Sequence, residues 1–278
     1  MCIRDRVKST GMEITHEGTE VLSQLSDYFN VYSDDHRMAR AIKEKFNIKD
    51  VHVIPGDSDS NQTVKREIGR QAGQLLESIL YEDAIVSVTG GSTMAYVSES
   101  IHLLPFNVFF VPARGGLGEN MVYQANTISS SMAQQAGGYY TTLYVPDNVS
   151  ESTYDTLMLE PSVIHTLDKI KQANVTIHGI GDALKMAHRR QSPKEVIDKL
   201  QHHQAVGEAF GYYFDAQGNV VHKVKTIGLQ LEDLESKDFI FAVAGGQSKG
   251  EAIKAYLSIA PDNTVLITDE TAAKVILQ

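Results

Sequence analysis

The sequence predicts an α/β fold, a Rossmann-like three-layer α/β/α arrangement around a mostly parallel sheet. Short apolar runs alternate with amphipathic stretches over most of the chain, which is typical of βαβ units. Three of these runs end in a glycine turn just before a helix-like stretch: the first is Gly90-Gly91, the second is Gly245-Gly246 and the third is Gly179-Ile180-Gly181. Because the carboxyl ends of parallel strands meet at one edge of a sheet, we expect the three turns to gather at a binding edge.

The individual elements follow from the periodicity of the apolar residues. Runs rich in β-branched and aromatic residues predict strands at 51–55, 84–88, 107–112, 139–145, 175–177, 239–243 and 264–267. Apolar residues at helical spacing predict helices at 62–80, 93–103, 129–137, 161–172, 193–200, 249–259 and 270–277. A turn containing Asp215 and Gly218 predicts a hairpin over 212–221, which we expect to extend one edge of the sheet.

The segment from Thr15 to about Asn47 also has helical spacing, interrupted near Ser33, and predicts two helices. Two alternatives stay open for this pair. The helices either cover the core of the domain or form an extended linker or dimer-forming arm. Residues 1–6 have no periodicity and are predicted to be a non-native start.

Composition limits the class of protein. The chain has 278 residues, of which 42% are hydrophobic, enough for one large domain or a domain with an appendage. Its formal net charge of −10 argues against a nucleic-acid surface, because binding to phosphate backbones needs clustered cations. A single cysteine, Cys2, excludes an intrachain disulfide and fits a reducing cytoplasm. No apolar run approaches the ~20 residues that span a bilayer, so we expect a soluble cytoplasmic protein without a membrane partner.

The first glycine turn is the strongest candidate for an anion site. A strand ending in Gly90-Gly91 lets the backbone approach a ligand, and the following helix offers free N–H groups and the positive end of its dipole. The hydroxyls of Ser92 and Thr93 come next and can donate to the same anion or simply cap the helix. The turn recurs with Lys249, which favours phosphate binding over a bare cap. Lys249 can also be a solvated lysine, although a cation there opposes the helix dipole.

Four further polar residues are predicted at the same edge. Arg114 follows a predicted strand and Arg189 follows the third glycine turn, and either can instead be a surface charge. Gln124 and Glu208 interrupt apolar or glycine-bearing stretches, and each can bind ligand hydroxyls or be a satisfied structural group.

Several sharper motifs are missing. The turn at 245–250 lacks the Walker A spacing, and the turn at 179–184 lacks the third glycine of the dinucleotide fingerprint. The ten histidines include no pair at metal-ligand spacing with a supporting carboxylate, and there is no cysteine pair. We therefore predict no metal, no cofactor and no catalytic residue.

Seven short motifs fall on the predicted turns and strand ends. They are residues 53–58 (VIPGDS), 88–94 (VTGGSTM), 111–118 (VPARGGLG), 124–126 (QAN), 179–182 (GIGD), 207–209 (GEA) and 244–249 (AGGQSK). Each is weak alone, but together they resemble the effector-binding domain of SorC-type bacterial transcriptional repressors. The resemblance runs from about Val7 to the C-terminus. Ser92 departs from the threonine that is frequent in the family, but keeps the hydroxyl.

The resemblance implies a fold related to phosphosugar isomerases, deaminases and coenzyme A transferases, used here as a sensor. It implies that residues 49–278 bind the effector, that 15–48 form a helical linker, and that 1–14 contain the remnant of a missing winged-helix DNA-binding domain. The implied effector is fructose 1,6-bisphosphate or a related phosphosugar, sensed by a repressor of sugar or glycolytic genes. Such a repressor would be a homo-oligomer, a dimer or a tetramer, and would contact operator DNA only through the N-terminal domain.

The resemblance also implies the contacts to the sugar phosphate. In the family they fall on positions that match Ser92, Thr93, Arg114, Gln124, Arg189, Glu208 and Lys249. With Gly90 and Gly91 of the first turn, these are the residues that we expect to bind the effector.

A sugar-phosphate isomerase or deaminase on the same fold is the alternative function. Such an enzyme needs a positioned base beside the bound sugar. In the related enzymes, Asp-Gly dipeptides at strand ends supply such carboxylates, and this chain contains no Asp-Gly dipeptide. Glu208 and Asp182 remain conceivable bases. A purely structural oligomerisation module, which would bind no small molecule, is a third possibility; the sequence favours a sensor that is not an enzyme.

Overall fold

The computed structural model describes residues 5–8, 11–15, 18, 34–116, 120–146 and 149–278. Its strands are β1 (Asp5–Lys8), β2 (Gly11–Ile14), β3 (Asp50–Ile54), β4 (Ala84–Val88), β5 (Val108–Pro112), β6 (Tyr139–Tyr140), β7 (Val175–His178), β8 (Gly181–Asp182), β9 (Gly207–Ala209), β10 (Tyr212–Phe214), β11 (Val220–Lys223), β12 (Phe239–Val243) and β13 (Thr264–Asp269). β1 and β2 pair as a separate antiparallel hairpin near the start of the chain.

The α-helices in the described ranges are α1 (Asp34–Phe46), α2 (Gln62–Ile79), α3 (Ser92–Glu99), α4 (Ala125–Ala136), α5 (Glu151–Leu157), α6 (Pro161–Gln172), α7 (Ala183–Arg189), α8 (Lys194–His202), α9 (Gly250–Leu257) and α10 (Glu270–Leu277). Short 3-10 helices lie at Met121–Tyr123, Leu231–Ser236 and Gln247–Lys249. Within the same ranges, no helix combines the length and the apolar character needed to cross a membrane.

The main sheet has seven parallel strands among the described residues, in the order β3-β13-β12-β7-β4-β5-β6. Successive side chains of a strand point to opposite faces, so Ile240 and Ala242 pack on one side while Phe241 and Val243 pack on the other. Helices α1, α6, α9 and α10 cover the first face, and α2, α3 and α4 cover the second. The predicted three-layer α/β/α class is therefore confirmed.

The strand order reverses beside β4. From β4 the chain proceeds to β5 and β6 on one side, whereas β7, β12 and β13 are added in turn on the other side. In an open parallel sheet, ligands bind outside the carboxyl ends of the strands where the order reverses. The fold thus places a binding position at the ends of β4 and β7.

The hairpin predicted at 212–221 is present, but the expectation that it extends the main sheet is wrong. β10 and β11 join β9 and β8 in a separate antiparallel sheet of four strands in the described part. The reason is that β10 is buried on both faces. Tyr212 and Phe214 pack into the main core, whereas Tyr213 packs with α7 and α8. The small sheet and these two helices form a unit over the carboxyl edge of the main sheet.

Some predicted boundaries were also wrong. The strand predicted at 139–145 stops at Tyr140, because the side chain of Asn126 pairs with both backbone groups of Leu143 and replaces a neighbouring strand. Helix α3 ends earlier and α4 begins earlier than predicted, and α5 and α7 were not predicted. Of the two helices predicted between Thr15 and Asn47, the first lies largely outside the described residues. The second is α1, and its fully buried Ile42 shows that it covers the core.

Candidate functional site

A cleft of about 740 Å³, partly open to solvent, lies at the carboxyl ends of β4 and β7. The turns after β4, β5 and β7 and the 3-10 helix before α9 form one wall, and the small sheet with α7 forms the other. The polar and charged side chains that line it are Thr89, Ser92, Thr93, Arg114, Tyr123, Arg189, Glu208 and Lys249.

The first glycine turn provides an uncapped helix N-terminus. Gly91, which has a φ of +134°, is the N-cap residue of α3, and no side chain of the described residues caps this helix. The N–H of Gly91 donates to the carbonyl of Tyr123 at 2.8 Å, and a Cβ at Gly90 would lie 2.5 Å from the same oxygen. Thr93 is only 7% exposed, lines the cleft, and its hydroxyl makes no hydrogen bond within the described ranges. The N–H groups and the dipole of α3 are therefore available to an anion in the cleft.

The other two glycine turns differ from the expectation, because the chain's own carboxylates occupy them. The N–H of Gly246 donates to Asp269 Oδ2 at 2.6 Å, and the N–H of Ser248 donates to Asp59 Oδ2 at 2.8 Å. After the third turn, Asp182 caps α7 by accepting from the N–H of Lys185 at 2.8 Å. The second turn therefore presents the side chain of Lys249 to the cleft, while carboxylates of the chain already bind two of its N–H groups.

Lys249 is a partly buried cation that no carboxylate of the described residues pairs. Its ammonium makes no hydrogen bond and no ion pair in the part of the chain that the structure describes. Burial lowers the pKa of Lys249 to about 8, and the neighbouring ammonium of Lys65 contributes. Lys65, on α2, donates from Nζ to the Ser92 hydroxyl at 2.7 Å. Two ammonium groups thus lie near the N-terminus of α3, where an anion would be stabilised.

Glu208 is the one buried carboxylate that lines the cleft in the described residues. Its Oε1 accepts from Arg190 Nη2 at 2.7 Å, from the N–H of Gly211 at 2.6 Å and from Arg114 Nη1 at 3.4 Å. Burial alone would raise the pKa of Glu208, but the two arginines and this N–H outweigh it and hold the pKa below its ordinary value. The other oxygen, Oε2, lies on the side of Gly181, where a Cβ would be 3.5 Å from it. This ionised oxygen can accept a hydrogen bond from a ligand hydroxyl.

The adjacent arginines Arg189 and Arg190 have different surroundings. The side chain of Arg190 is 1% exposed and donates to Tyr213 Oη at 2.7 Å as well as to Glu208. Arg189 is half-buried and lines the cleft. Arg190 therefore belongs to the packing of the small sheet, and Arg189 faces the space that a ligand would fill.

A second, smaller lobe of about 330 Å³ adjoins the cleft. Gln124 and Asn120 line it, and Arg114 and Arg189 line both lobes. The two arginines thus stand between a lobe with an uncapped helix N-terminus and a lobe with amide side chains. The site suits an elongated ligand that carries negative charge and hydroxyl groups.

Comparisons with known proteins agree with this geometry. The family described as "Putative sugar-binding domain" matches residues 31–278. The chain belongs to this family of sugar-binding domains. The central glycolytic genes regulator of Bacillus subtilis (strain 168) is 46% identical over 274 residues, which cover 98% of this chain and 80% of that protein. The regulator of the same name from Priestia megaterium is 46% identical over 268 residues, covering 95% of this chain and 78% of that protein.

Solved structures show the same family. The crystal structure of a "putative SorC family transcriptional regulator" from Enterococcus faecalis has 42% sequence identity and a TM-score of 0.82, covering 87% of this chain and 100% of that chain. The resemblance to SorC-type regulators that the seven motifs indicated is therefore confirmed.

All nine residues predicted for this SorC-type domain lie at the two lobes. Gly90, Gly91, Ser92, Thr93, Arg114, Arg189, Glu208 and Lys249 line the main lobe, and Gln124 lines the second. That they bind a ligand stays a prediction. Lys65 was missed, and the role of Arg190 was not distinguished from that of Arg189. Lys65 looks like any exposed helix lysine in the sequence, and Arg190 could not be told from Arg189 without the position of Glu208.

Proposed function

We propose that this chain is the effector-binding part of a transcriptional repressor of sugar or glycolytic genes, and that its effector is fructose 1,6-bisphosphate or a closely related phosphosugar. One observation carries the proposal. The N-terminus of α3 and the ammonium of Lys249, neither of which is bound by a side chain of the described residues, lie in one cleft with the acceptor oxygen of Glu208. Phosphate suits the first two groups and a sugar hydroxyl suits the third.

In this proposal different residues of the two lobes bind different groups of the ligand. The backbone of Gly90-Gly91, the hydroxyls of Ser92 and Thr93, and Lys249 hold a phosphate group. Glu208 and Gln124 accept from or donate to the sugar hydroxyls. Arg114 and Arg189, which line both lobes, neutralise phosphate charge. The names of the regulators from Bacillus subtilis and Priestia megaterium support a glycolytic metabolite.

The surroundings of Glu208 and Asp182, the two conceivable bases, favour a sensor over an isomerase or deaminase. A general base works best when its pKa is near the working pH. The pKa of Glu208 is held low, and one of its oxygens already accepts three hydrogen bonds. Asp182 is engaged as the cap of α7. The relatives are named as regulators, which supports the same choice.

The proposed signal passes from the cleft to a DNA-binding domain. A ligand can switch a repressor only through a difference in affinity between two arrangements. We propose that residues 49–278 bind the effector and that the linker at 15–48 transmits the change, in a homo-oligomer that contacts operator DNA through a winged-helix domain. The contacts of α1 with β3 and α10 support a route from the sheet to this linker.

Calorimetric titration with fructose 1,6-bisphosphate, fructose 6-phosphate, glucose 6-phosphate and dihydroxyacetone phosphate tests the proposal. We expect saturable binding of at least one of them, no binding of fructose, and recovery of the ligand unchanged. Conversion of the recovered ligand would show an enzyme. No binding of any of the four would refute the proposed function.

A further inference from the structure

Lys65 belongs to α2, but its ammonium lies next to the proposed phosphate site at the start of α3. It lies in the first turns of α2, whose N-terminus is capped by Asn61. Helices α2 and α3 pack so closely that a Cβ at Gly69 would lie 2.6 Å from the Cβ of Tyr96. This contact brings the ammonium of Lys65 to Ser92, the first residue of α3, at 2.7 Å from its hydroxyl.

The groups around the Lys65 ammonium carry positive charge or positive partial charge. It lies near the positive end of α2 and at the positive end of α3. It is also close enough to Lys249 for the two charges to repel. Within the described ranges, its ammonium has no carboxylate partner, and the neutral hydroxyl of Ser92 accepts its hydrogen bond.

An anion bound at the N-terminus of α3 would offset all three repulsions. A second observation also points to a ligand there. Thr93, in the first turn of the same helix, is 7% exposed, faces the cleft and has a hydroxyl without a hydrogen bond to the described residues. The side chain is therefore nearly buried, and its hydroxyl is placed to bind a ligand in the cleft.

We propose that Lys65 is a further phosphate-binding residue, which together with Lys249 clamps one phosphate group of the effector at the N-terminus of α3. The inference rests on the proposed function and deepens it. In the structure the Ser92 hydroxyl accepts a hydrogen bond from Lys65. On binding, the ammonium donates to a phosphate oxygen, and the Ser92 hydroxyl is released to donate to the same group.

The variant Lys65→Met tests the inference, with Arg66→Met as the matched control. Both changes remove one positive charge from the start of α2, but Arg66 is exposed and lies over the ring of Tyr96. We expect Lys65→Met to weaken fructose 1,6-bisphosphate binding by roughly 10- to 100-fold, the loss of one charge-assisted hydrogen bond. Arg66→Met should change the affinity by less than about threefold. In Lys65→Met, inorganic phosphate should also compete less strongly, in parallel with the loss of affinity for fructose 1,6-bisphosphate.

Ser92→Ala separates direct phosphate binding from a role in holding Ser92. If Lys65 contacts phosphate, Lys65→Met still causes a large loss of affinity when it is introduced into the Ser92→Ala background. If Lys65 only positions the Ser92 hydroxyl, adding Lys65→Met to Ser92→Ala causes no further loss of affinity, and the inference is wrong. If Lys65→Met binds fructose 1,6-bisphosphate as tightly as the parent chain does, the inference is also wrong, while the proposed function is unaffected. No binding of any phosphosugar by the parent chain would instead refute both.

Discussion

We expect the adjacent residues Arg189 and Arg190 to contribute to different properties, Arg189 to ligand binding and Arg190 to stability. Arg190 is enclosed by Tyr213 and Glu208, whereas Arg189 lines the cleft. Removing one partner of a buried ion pair leaves the other charge uncompensated, which costs about 3–5 kcal/mol. We therefore expect Arg190→Met to lower the free energy of unfolding by about that amount in urea denaturation.

Arg189→Met is the matched comparison, because it removes the same kind of side chain one position earlier. We expect it to lower the affinity for fructose 1,6-bisphosphate by about tenfold or more, with a much smaller effect on unfolding. Equal losses of stability in the two variants would contradict the separation of roles. So would full affinity in Arg189→Met.

The lowered pKa of Lys249 predicts a pH dependence of binding. An anion binds the protonated form, and burial together with the charges of Lys65, Lys185 and Arg189 brings the pKa of Lys249 to about 8, although Asp59 acts in the opposite direction. Affinity for fructose 1,6-bisphosphate should therefore be constant near pH 7 and fall as the pH rises through 8 to 9.5. The bound phosphate raises the pKa, so binding at pH 8.5 should take up protons.

Calorimetry in two buffers of different ionisation enthalpy measures this proton uptake directly. Lys249→Arg is the control, because a guanidinium stays charged over the whole range. We expect its affinity to be nearly independent of pH between 7 and 9.5. A parent chain whose affinity does not change over that range would contradict the assigned role of Lys249.

Single residues of the candidate site were predictable where the local sequence determines their position. Ser92 and Thr93 follow a strand and a glycine pair directly, so the turn chemistry places them at the edge of the sheet. Lys65 was not predictable, because its approach to Ser92 depends on the packing of α2 against α3. Tertiary contacts of this kind leave no periodic signal in the sequence.

At the level of elements, three similar glycine turns turned out to have different chemistry. The first is open to the cleft, but Asp59 and Asp269 bind the backbone of the second. A Cβ at Gly246, which has a φ of +100°, would lie 2.4 Å from Asp59 Oδ1. Glycine at this position therefore makes room for a carboxylate of the same chain. The sequence could not show this, because Asp59 and Ser248 are 189 positions apart.

The strands were predicted well where burial follows a simple pattern. The buried runs of β4, β12 and β13 have the apolar, β-branched composition typical of a parallel sheet, and they were found at nearly the predicted positions. The sheet to which β10 belongs could not be predicted, since its buried Tyr213 faces α7 and α8, which assemble only in the folded protein. The elements were thus largely predictable, and their partners much less so.

The whole molecule combines a negative net charge with a cationic cleft. The formal net charge is −10, yet Arg114, Arg189 and Lys249 line the same cleft, and Lys65 lies near it. Repulsion by the net charge acts most strongly on large polyanions, whereas a small anion inside the cleft experiences mainly the nearby cations. This arrangement favours a small phosphorylated ligand over a nucleic acid as the direct partner of these residues.

The cleft lies between two structural units, which predicts how binding will change the dynamics of the protein. The main sheet contributes the turn at Gly90-Gly91 and Lys249, and the small sheet with α7 contributes Glu208 and Arg189. A ligand that contacts both sides stabilises their association, by about 2.7 kcal/mol at a concentration 100 times its dissociation constant. We therefore expect fructose 1,6-bisphosphate to slow amide hydrogen exchange both in 90–94 and in 183–190 and 207–214, with fructose as the inactive control. Slower exchange confined to 90–94 would mean that the ligand binds the glycine turn alone and leaves the small sheet free, and such a ligand could not transmit a signal by drawing the two units together.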